Sequence, residues 1–166
     1  MSAGSDPRTA IRGIEAGDDA RLASIIRTVM PEYGAVGPGY SIMDAEVDAM
    51  SEAHEGDDAA YFVALVGDEV MGGAGIGPLV GGPSGVCELK KMYLLREARG
   101  LGLGRRLMER CLDAARGAGY ERCYLETLEH MTEARGLYES RGFRPLDAPM
   151  GSTGHSGCNG WYVRDL

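Results

Sequence analysis

The pattern of apolar and polar residues changes period several times along this chain, and each change predicts a new element. Residues 61–66 are apolar, aromatic and β-branched, which is typical of a buried strand. A turn at residues 67–69 predicts a hairpin into a second strand over residues 70–76. Residues 86–95 form a further long apolar run, and weak alternation over residues 9–14 predicts a first strand.

Helical spacing predicts two helices in the first third of the chain. Apolar residues recur every three or four positions over residues 19–30, and Asp18 or Asp19 can cap this helix. Asp44 can cap a shorter helix over residues 44–53. A proline and several glycines between the two predict a loop.

The second half of the chain alternates between strands and helices. The longest amphipathic helix is predicted over residues 103–118, followed by a strand over residues 123–127. Thr132 can cap a further helix, and a last pair of strands follows it. Early hairpins and a late strand–helix–strand unit predict one α/β domain over residues 9–166, preceded by a flexible N-terminus over residues 1–8.

Composition and charge exclude several classes of function. The 166 residues carry a formal net charge of −8, which argues against non-specific binding of nucleic acid. No apolar run approaches the roughly 20 residues of a membrane span, and the N-terminus lacks the pattern of a signal peptide. Four scattered cysteines predict reduced thiols and do not match zinc-ligand spacing. We therefore expect a cytoplasmic protein with no metal.

A glycine-rich turn joins the long apolar strand to the longest helix. Residues 99–104, Arg-Gly-Leu-Gly-Leu-Gly, would direct backbone N–H groups to the positive end of the helix dipole, where a phosphate or diphosphate binds well. Residues 90–110 also hold seven Lys or Arg against two Glu, a local net charge of +5 on an acidic chain. The spacing fits neither a dinucleotide fingerprint nor a P-loop. The turn predicts a binding site for a phosphorylated cofactor.

Two motifs resemble those of the GCN5-related N-acetyltransferase (GNAT) superfamily. Residues 99–104 match its Arg/Gln-x-x-Gly-x-Gly/Ala signature, after a strand of Glu-Leu-x-x-Met-Tyr-Leu type. Residues 134–143 match its Ala-x-x-Leu-Tyr-Glu-x-x-Gly-Phe segment. The likeness covers about residues 86–146. It departs from the family pattern at Met131 and Thr132, where many members carry Asn.

The resemblance implies an α/β (α+β) fold with a mixed, twisted sheet of about six or seven strands, splayed between the fourth and fifth strands and flanked by about four helices. It implies that acetyl-coenzyme A, the acetyl donor, lies in this splay. Backbone groups at Met92, Tyr93 and Leu94 would then contact the pantetheine arm and thioester. The turn residues expected to hold the diphosphate are Arg99, Gly100, Leu101, Gly102, Leu103, Gly104 and Arg105.

Acetyl transfer to an amine needs a base for the amine and a proton for the departing thiolate. Glu88 is our candidate base, directly or through water, because its strand leads to the expected thioester position. Glu126 is an alternative base and, with His155 in the glycine-rich loop 151–160, a candidate for binding the acceptor. The resemblance makes Tyr138 the candidate general acid. Each of these side chains could instead be structural, as an ion-pair partner or a core residue.

Two further features have structural explanations. Cys87 and Cys123 could in principle accept the acyl group, but their apolar strands predict buried, inert thiols. A glycine cluster at residues 72–77 predicts a bulge or close packing rather than a ligand site.

We therefore expect an acetyl-coenzyme A-dependent N-acetyltransferase that acts by direct transfer in a ternary complex. Its acceptor would be the primary amine of a small or amino-acid-like molecule. Two alternatives stay open: acetylation of protein N-termini or lysines, and a non-catalytic domain that senses acyl-coenzyme A. We expect no nucleic-acid or membrane partner, and the sequence allows a homodimer without specifying one.

Overall fold

The computed structural model describes residues 8–166, so nearly all of the predicted flexible N-terminus lies outside the described residues. Four α-helices flank one seven-stranded sheet. The strands are β1 (Thr9–Gly13), β2 (Ala60–Val66), β3 (Glu69–Pro78), β4 (Val86–Leu94), β5 (Arg122–Thr127), β6 (Arg144–Leu146) and β7 (Gly160–Asp165). The helices are α1 (Asp19–Val29), α2 (Met50–Ala53), α3 (Leu103–Gly117) and α4 (Thr132–Ser140).

The sheet is mixed and opens between its fourth and fifth strands, as predicted. Its order is β1-β2-β3-β4-β5-β7-β6, and only β4 and β5 are parallel. These two strands pair from Val86–Arg122 to Glu88–Tyr124 and then separate, although both continue. Beyond Glu88 and Tyr124, β4 and β5 no longer form hydrogen bonds with each other. The space between the two strands is a cleft at the centre of the sheet.

Each face of the sheet carries its own apolar core. The amphipathic helix α3 buries Leu107 and Cys111 against Leu125 of β5 on one face. Helix α1 buries Ile26 against Val63 of β2 on the other face.

Within residues 8–166, no helix has both the length and the apolar character needed to cross a bilayer.

A bulge interrupts β4 beside the opening. The register of β3 against β4 shifts between Gly73 and Gly75, and Lys91 adopts a left-handed φ of +48° there. Such a conformation is strained for a residue with a side chain. Because an extra residue reverses the in–out alternation of a strand, Leu89 and Met92 both pack in the core under α3.

Glycines in β3 make room for the ring that supports this bulge. A Cβ on Gly73 would lie 2.5 Å from Cε1 of Tyr61, and one on Gly75 would lie 2.4 Å from its Cδ2. The Tyr61 hydroxyl donates to the backbone oxygen of Lys91 at 2.7 Å. The predicted close packing at the glycine cluster is therefore confirmed.

The predicted helix over residues 44–53 is mostly wrong. Ala45–Asp48 form a 3-10 turn, and the α-helix spans only Met50–Ala53. Asp44 makes no capping hydrogen bond, because its carboxylate accepts hydrogen bonds from Lys91 and His155. Distant cations thus compete successfully with the local helix cap.

Candidate active site

The opening between β4 and β5 holds a cleft of about 740 Å³ of empty space, part of it open to solvent. Its walls come from both strands, the segment after α1, the start of α4 and the loop before β7. The lining residues are Met30, Tyr33, Ala35, Tyr40, Ser41, Glu88, Leu89, Lys90, Lys91, Met92, Tyr93, Leu125, Glu126, Thr127, Leu128, Met131, Tyr138, His155 and Cys158. The predicted residues Glu88, Glu126, Tyr138 and His155 are all among them.

Glu88 lies at the point where the two strands separate. Its side chain points to the face opposite Cys87 and Leu89, and Glu126 points the same way from β5. One oxygen of each carboxylate and one ring nitrogen of His155 lie within 4.8 Å of one another. The three candidate acceptor-side residues therefore form one cluster.

The carboxylate of Glu88 has no direct ion-pair partner, although the ring of His155 lies within 4.8 Å and its charge acts to lower the pKa of Glu88. The residue is 7% exposed, and within residues 8–166 its side chain makes no hydrogen bond or ion pair. Burial, reinforced by the charge of Glu126, raises the pKa of Glu88 to about 7. A carboxyl group with this pKa exchanges a proton readily at neutral pH, which suits a general base.

His155 links three segments that are distant in sequence. Its Nε2 lies 2.9 Å from Asp44, and its Nδ1 lies 3.1 Å from Glu126. These hydrogen bonds raise the pKa of His155 to about 9, and the bond to Asp44 has a larger effect than the bond to Glu126. The ring is therefore an imidazolium at neutral pH, and both of its N–H groups donate.

Glu126 is held more firmly than Glu88. It accepts hydrogen bonds from Thr153 at 2.5 Å and from the Tyr124 hydroxyl at 2.9 Å, besides the bond from His155. Burial acts to raise the pKa of Glu126, but these donors outweigh it and the pKa is lowered. Of the two carboxylates, Glu88 is therefore the better proton acceptor.

Tyr138 reaches the same cleft from α4. It is 7% exposed and packs against the rings of Phe143 and Tyr162. Burial raises the pKa of the Tyr138 phenol far above its usual value, so the hydroxyl keeps its proton at neutral pH. That state is the one a general acid requires.

The glycine-rich turn presents free backbone amides. Gly100 and Gly102 have φ of +78° and +77°, and a Cβ on either would meet nothing within 4 Å. Gly102 precedes α3 without a side-chain cap, so the amides of Leu103, Gly104 and Arg105 donate to no other group in the described chain. An uncapped first turn with an open approach fits a diphosphate.

The basic residues around this turn do not act as one patch. Arg99 donates to the backbone oxygen of Leu94 and to Glu32 at 2.8 Å, so it braces the turn. Lys90 and Lys91 line the cleft instead, where acidic side chains neutralise them. The local charge counted along the sequence is thus divided between two places.

Comparison with known proteins identifies the family. The sequence model of the acetyltransferase (GNAT) family matches residues 22–143. This chain belongs to the GNAT family. GNAT membership confirms the prediction of an acetyltransferase enzyme. The chain is also 41% identical over 150 residues to the uncharacterized N-acetyltransferase YjgM of Escherichia coli K12, covering 90% of each chain.

Solved GNAT structures share the fold at low identity. An acetyltransferase of the GNAT family from Staphylococcus aureus Mu50 superposes with a TM-score of 0.81 at 18% identity, over 96% of this chain and 99% of that chain. The structure of yncA from Salmonella typhimurium with its cofactor acetyl-CoA has a TM-score of 0.76 at 20% identity, over 95% and 94%. The predicted fold is therefore confirmed.

The cluster of Glu88, Glu126 and His155 also has ligand types that bind metal ions. His155 would have to lose a proton and one of its carboxylate partners before a ring nitrogen could coordinate an ion. The cluster as it stands in this GNAT protein fits proton transfer better than metal binding.

Sequence reasoning missed part of the acceptor side. Three charged side chains reach the cleft or its rim: Asp44, Glu46 and Lys91. Tyr61 supports the bulge at Lys91 by donating to its backbone oxygen. None of these residues belongs to a motif. The one signal in the sequence is the pair of lysines that follows Glu88, and the local charge count groups this pair with the phosphate turn.

Proposed function

We propose that this protein transfers the acetyl group of acetyl-coenzyme A directly to the primary amine of a small or amino-acid-like molecule. The observation that carries the proposal is the buried carboxylate of Glu88, which makes no direct hydrogen bond or ion pair within residues 8–166 and lies at the point where β4 and β5 separate. An ammonium group can supply this direct partner.

The donor's diphosphate would bind the amides of Leu103, Gly104 and Arg105, and its pantetheine arm would lie along Met92 to Leu94. Gly100 and Gly102 keep the approach to these amides clear. When bound, acetyl-coenzyme A supplies the acetyl group as an activated thioester. The yncA structure with acetyl-CoA, which shares the fold, supports this choice of donor.

Glu88 would hold the acceptor's ammonium group and take its proton on a carboxylate oxygen. A pKa of about 7 leaves a large fraction of Glu88 ionised at neutral pH. The amine then becomes a neutral nucleophile beside the expected thioester position. His155 keeps Glu126 occupied, so that Glu88 is the carboxylate available for this exchange.

Tyr138 would return a proton to the departing thiolate through its hydroxyl oxygen. The raised pKa keeps the phenol protonated at neutral pH but also makes it a weaker acid than a free tyrosine, so the support for this role is the position of Tyr138 rather than its acidity. Its place in the cleft wall, across from β4, supports this role.

Direct transfer is favoured over a covalent acyl-enzyme. Cys87 and Cys123 are fully buried in the core under α3. Cys158 lines the cleft, but burial and the charge of Glu126 raise the pKa of its thiol to about 12. A thiol that remains protonated is a poor nucleophile.

The cysteines are free thiols, which are typical of proteins in the cytoplasm, and we propose the cytoplasm as the compartment of this protein.

An acceptor screen that follows coenzyme A release tests the proposal. We expect turnover with small primary amines, and much slower turnover at limiting acetyl-coenzyme A with Gly102→Glu, whose new carboxylate would repel the diphosphate. Turnover with peptides alone would point to a protein acetyltransferase. Binding of acetyl-coenzyme A without any turnover would favour a sensor domain and contradict the proposal.

A further inference from the structure

We infer that the acceptor is an amine with an apolar body and no carboxylate or phosphate beside its amino group. This inference rests on the proposed function and narrows it to alkylamines and arylalkylamines, with α-amino acids excluded. The argument comes from the charges that line the cleft, and from which of them already have partners.

The two lysines of the cleft are neutralised by acidic residues of this chain. The side chain of Lys91 is 1% exposed, and its ammonium contacts both Asp44, at 2.8 Å, and Glu46. The ammonium of Lys90 lies 2.8 Å from the same Glu46 carboxylate. Neither lysine is therefore free to pair with a carboxylate of the acceptor.

His155 is the third cation of the cleft, and it is equally occupied. Both ring nitrogens already donate to carboxylates, one to Asp44 and one to Glu126. Among the cleft-lining residues of the described chain, no Lys, Arg or His remains for an anionic group.

An acceptor that carried a carboxylate beside its amine would therefore enter unfavourable surroundings. The amine has to reach Glu88, which places a neighbouring carboxylate within a few ångströms of Glu88 and Glu126. Like charges at such distances repel strongly in a partly buried site, and loss of water adds a further cost. A simple ammonium, in contrast, supplies Glu88 with the direct ion pair that it lacks.

The opposite wall of the cleft suits an apolar body. Aromatic and sulfur-containing side chains dominate there, on the segment after α1 and near the start of α4: Met30, Tyr33, Tyr40 and Met131. Val36 and Met43, which lie next to these lining segments, are 53% and 62% exposed. Apolar surface at the entrance of a cleft is typical of a site that binds apolar ligands.

Three compounds that share one skeleton test this inference: phenethylamine, phenylalanine amide and phenylalanine. Initial rates of coenzyme A release give kcat/KM, corrected for the fraction of neutral amine. We expect phenethylamine and the amide to agree within about tenfold and phenylalanine to be at least ~100-fold poorer. The pair 3-methylbutylamine and leucine repeats the comparison with an aliphatic body.

A variant tests whether charge is the cause. Glu46→Gln removes the partner of Lys90, so we expect the preference for phenethylamine over phenylalanine to fall at least ~10-fold. The exposed Glu52→Gln is the matched control and should keep the wild-type ratio. An unchanged ratio in Glu46→Gln, or an amide as poor as phenylalanine, would assign the preference to shape and overturn the inference.

The outcomes separate this inference from the proposed function. If phenylalanine or leucine is acetylated as well as its decarboxylated partner, the acceptor class is wrong, whereas acetyl transfer itself stands. If only peptides are acetylated, the acceptor class and the small-molecule acceptor of the proposed function are both wrong, and only acetyl transfer stands. If no amine releases coenzyme A, both statements fail.

Discussion

The glycine-rich turn and the acceptor end of the cleft are built from different groups. At the glycine-rich turn, the groups offered to a ligand are the consecutive backbone amides of Leu103, Gly104 and Arg105. At the acceptor end, side chains such as Asp44 and His155 come from segments more than a hundred residues apart. A diphosphate can be recognised by main chain alone, whereas the choice of acceptor depends on side chains.

The electrostatics of the two ends differ in the same way. The turn offers uncompensated N–H dipoles at an open surface. The acceptor end is half-buried, and its charged side chains form direct ion pairs with one another, except that Glu88 makes none among the described residues. Changes at the acceptor end should therefore alter turnover and its pH dependence, and changes at the turn should alter donor affinity.

The largest effect is expected at Glu88. Glu88→Gln removes the base but keeps the shape, so we expect kcat/KM for the acceptor to fall about 10³-fold. In the wild type kcat/KM should rise with pH and level off above about 7, because the ionised carboxylate is the active form, whereas in the variant it should keep rising towards the pKa of the acceptor amine without a break near 7. Steady-state rates from pH 5.5 to 9 measure both.

Exposed Glu69→Gln serves as the control for Glu88→Gln. Acetyl-coenzyme A should bind to both variants as it does to the wild type. A normal pH profile in Glu88→Gln would show that another group is the base.

Tyr138 should give the next largest effect. Tyr138→Phe removes the proton donor, and we expect kcat to fall about 10²-fold while the Kd for acetyl-coenzyme A stays unchanged. Single-turnover measurements would place the loss in the chemical step. Tyr120→Phe, which changes a phenol far from the cleft that donates to Asp58, is the control. Equal rates in the two variants would leave Tyr138 a core residue.

At the glycine-rich turn we expect loss of affinity. Gly102→Glu places a carboxylate beside the amides, and we expect the Kd for coenzyme A to rise roughly 30-fold. Gly119→Glu is a matched control, because Gly119 also has a positive φ, of +88°, with nothing within 4 Å of its Cβ position. Titration calorimetry measures both. Similar losses in the two variants would mean that backbone strain, rather than charge at the turn, weakens binding.

The smallest effect concerns the stability of the acceptor end. His155→Gln leaves Asp44 and Glu126 without their shared cation, and we expect the free energy of unfolding to fall by roughly 1–2 kcal/mol at pH 6. Because folding raises the pKa of His155, the stabilisation is complete below about pH 6.5 and disappears as the pH rises through about 9. Urea unfolding of both proteins at pH 6 and pH 10 tests this, and a constant difference would contradict it.

Much of the fold was predictable because it depends on local pattern. The predicted strand over residues 86–95 agrees closely with β4, and the predicted helix over residues 103–118 agrees closely with α3. Both have strong periods and clear ends. The helix predicted over residues 44–53 failed because Asp44 binds cations from distant segments, which no local window contains.

The sequence predicted which residues belong to the candidate site, but not how their side chains are placed relative to one another. Glu88, Glu126 and His155 were each proposed separately, and the structure brings them within 4.8 Å. Lys91 was counted with the phosphate turn, yet the bulge in β4 directs it to the acceptor end. One extra residue in a strand moves every later side chain to the opposite face of the sheet. The sequence of the strand gives no sign of such a bulge.

The sequence by itself determined most of the elements, the conformation of the glycine turn and the family. These properties depend on neighbouring residues: periodicity sets helices and strands, and glycine permits the left-handed turn. Only the tertiary structure decided which charges in the cleft are neutralised and which carboxylate is left without a partner. Ion pairs form between segments that the folded sheet brings together, so their partners depend on topology rather than on spacing along the chain.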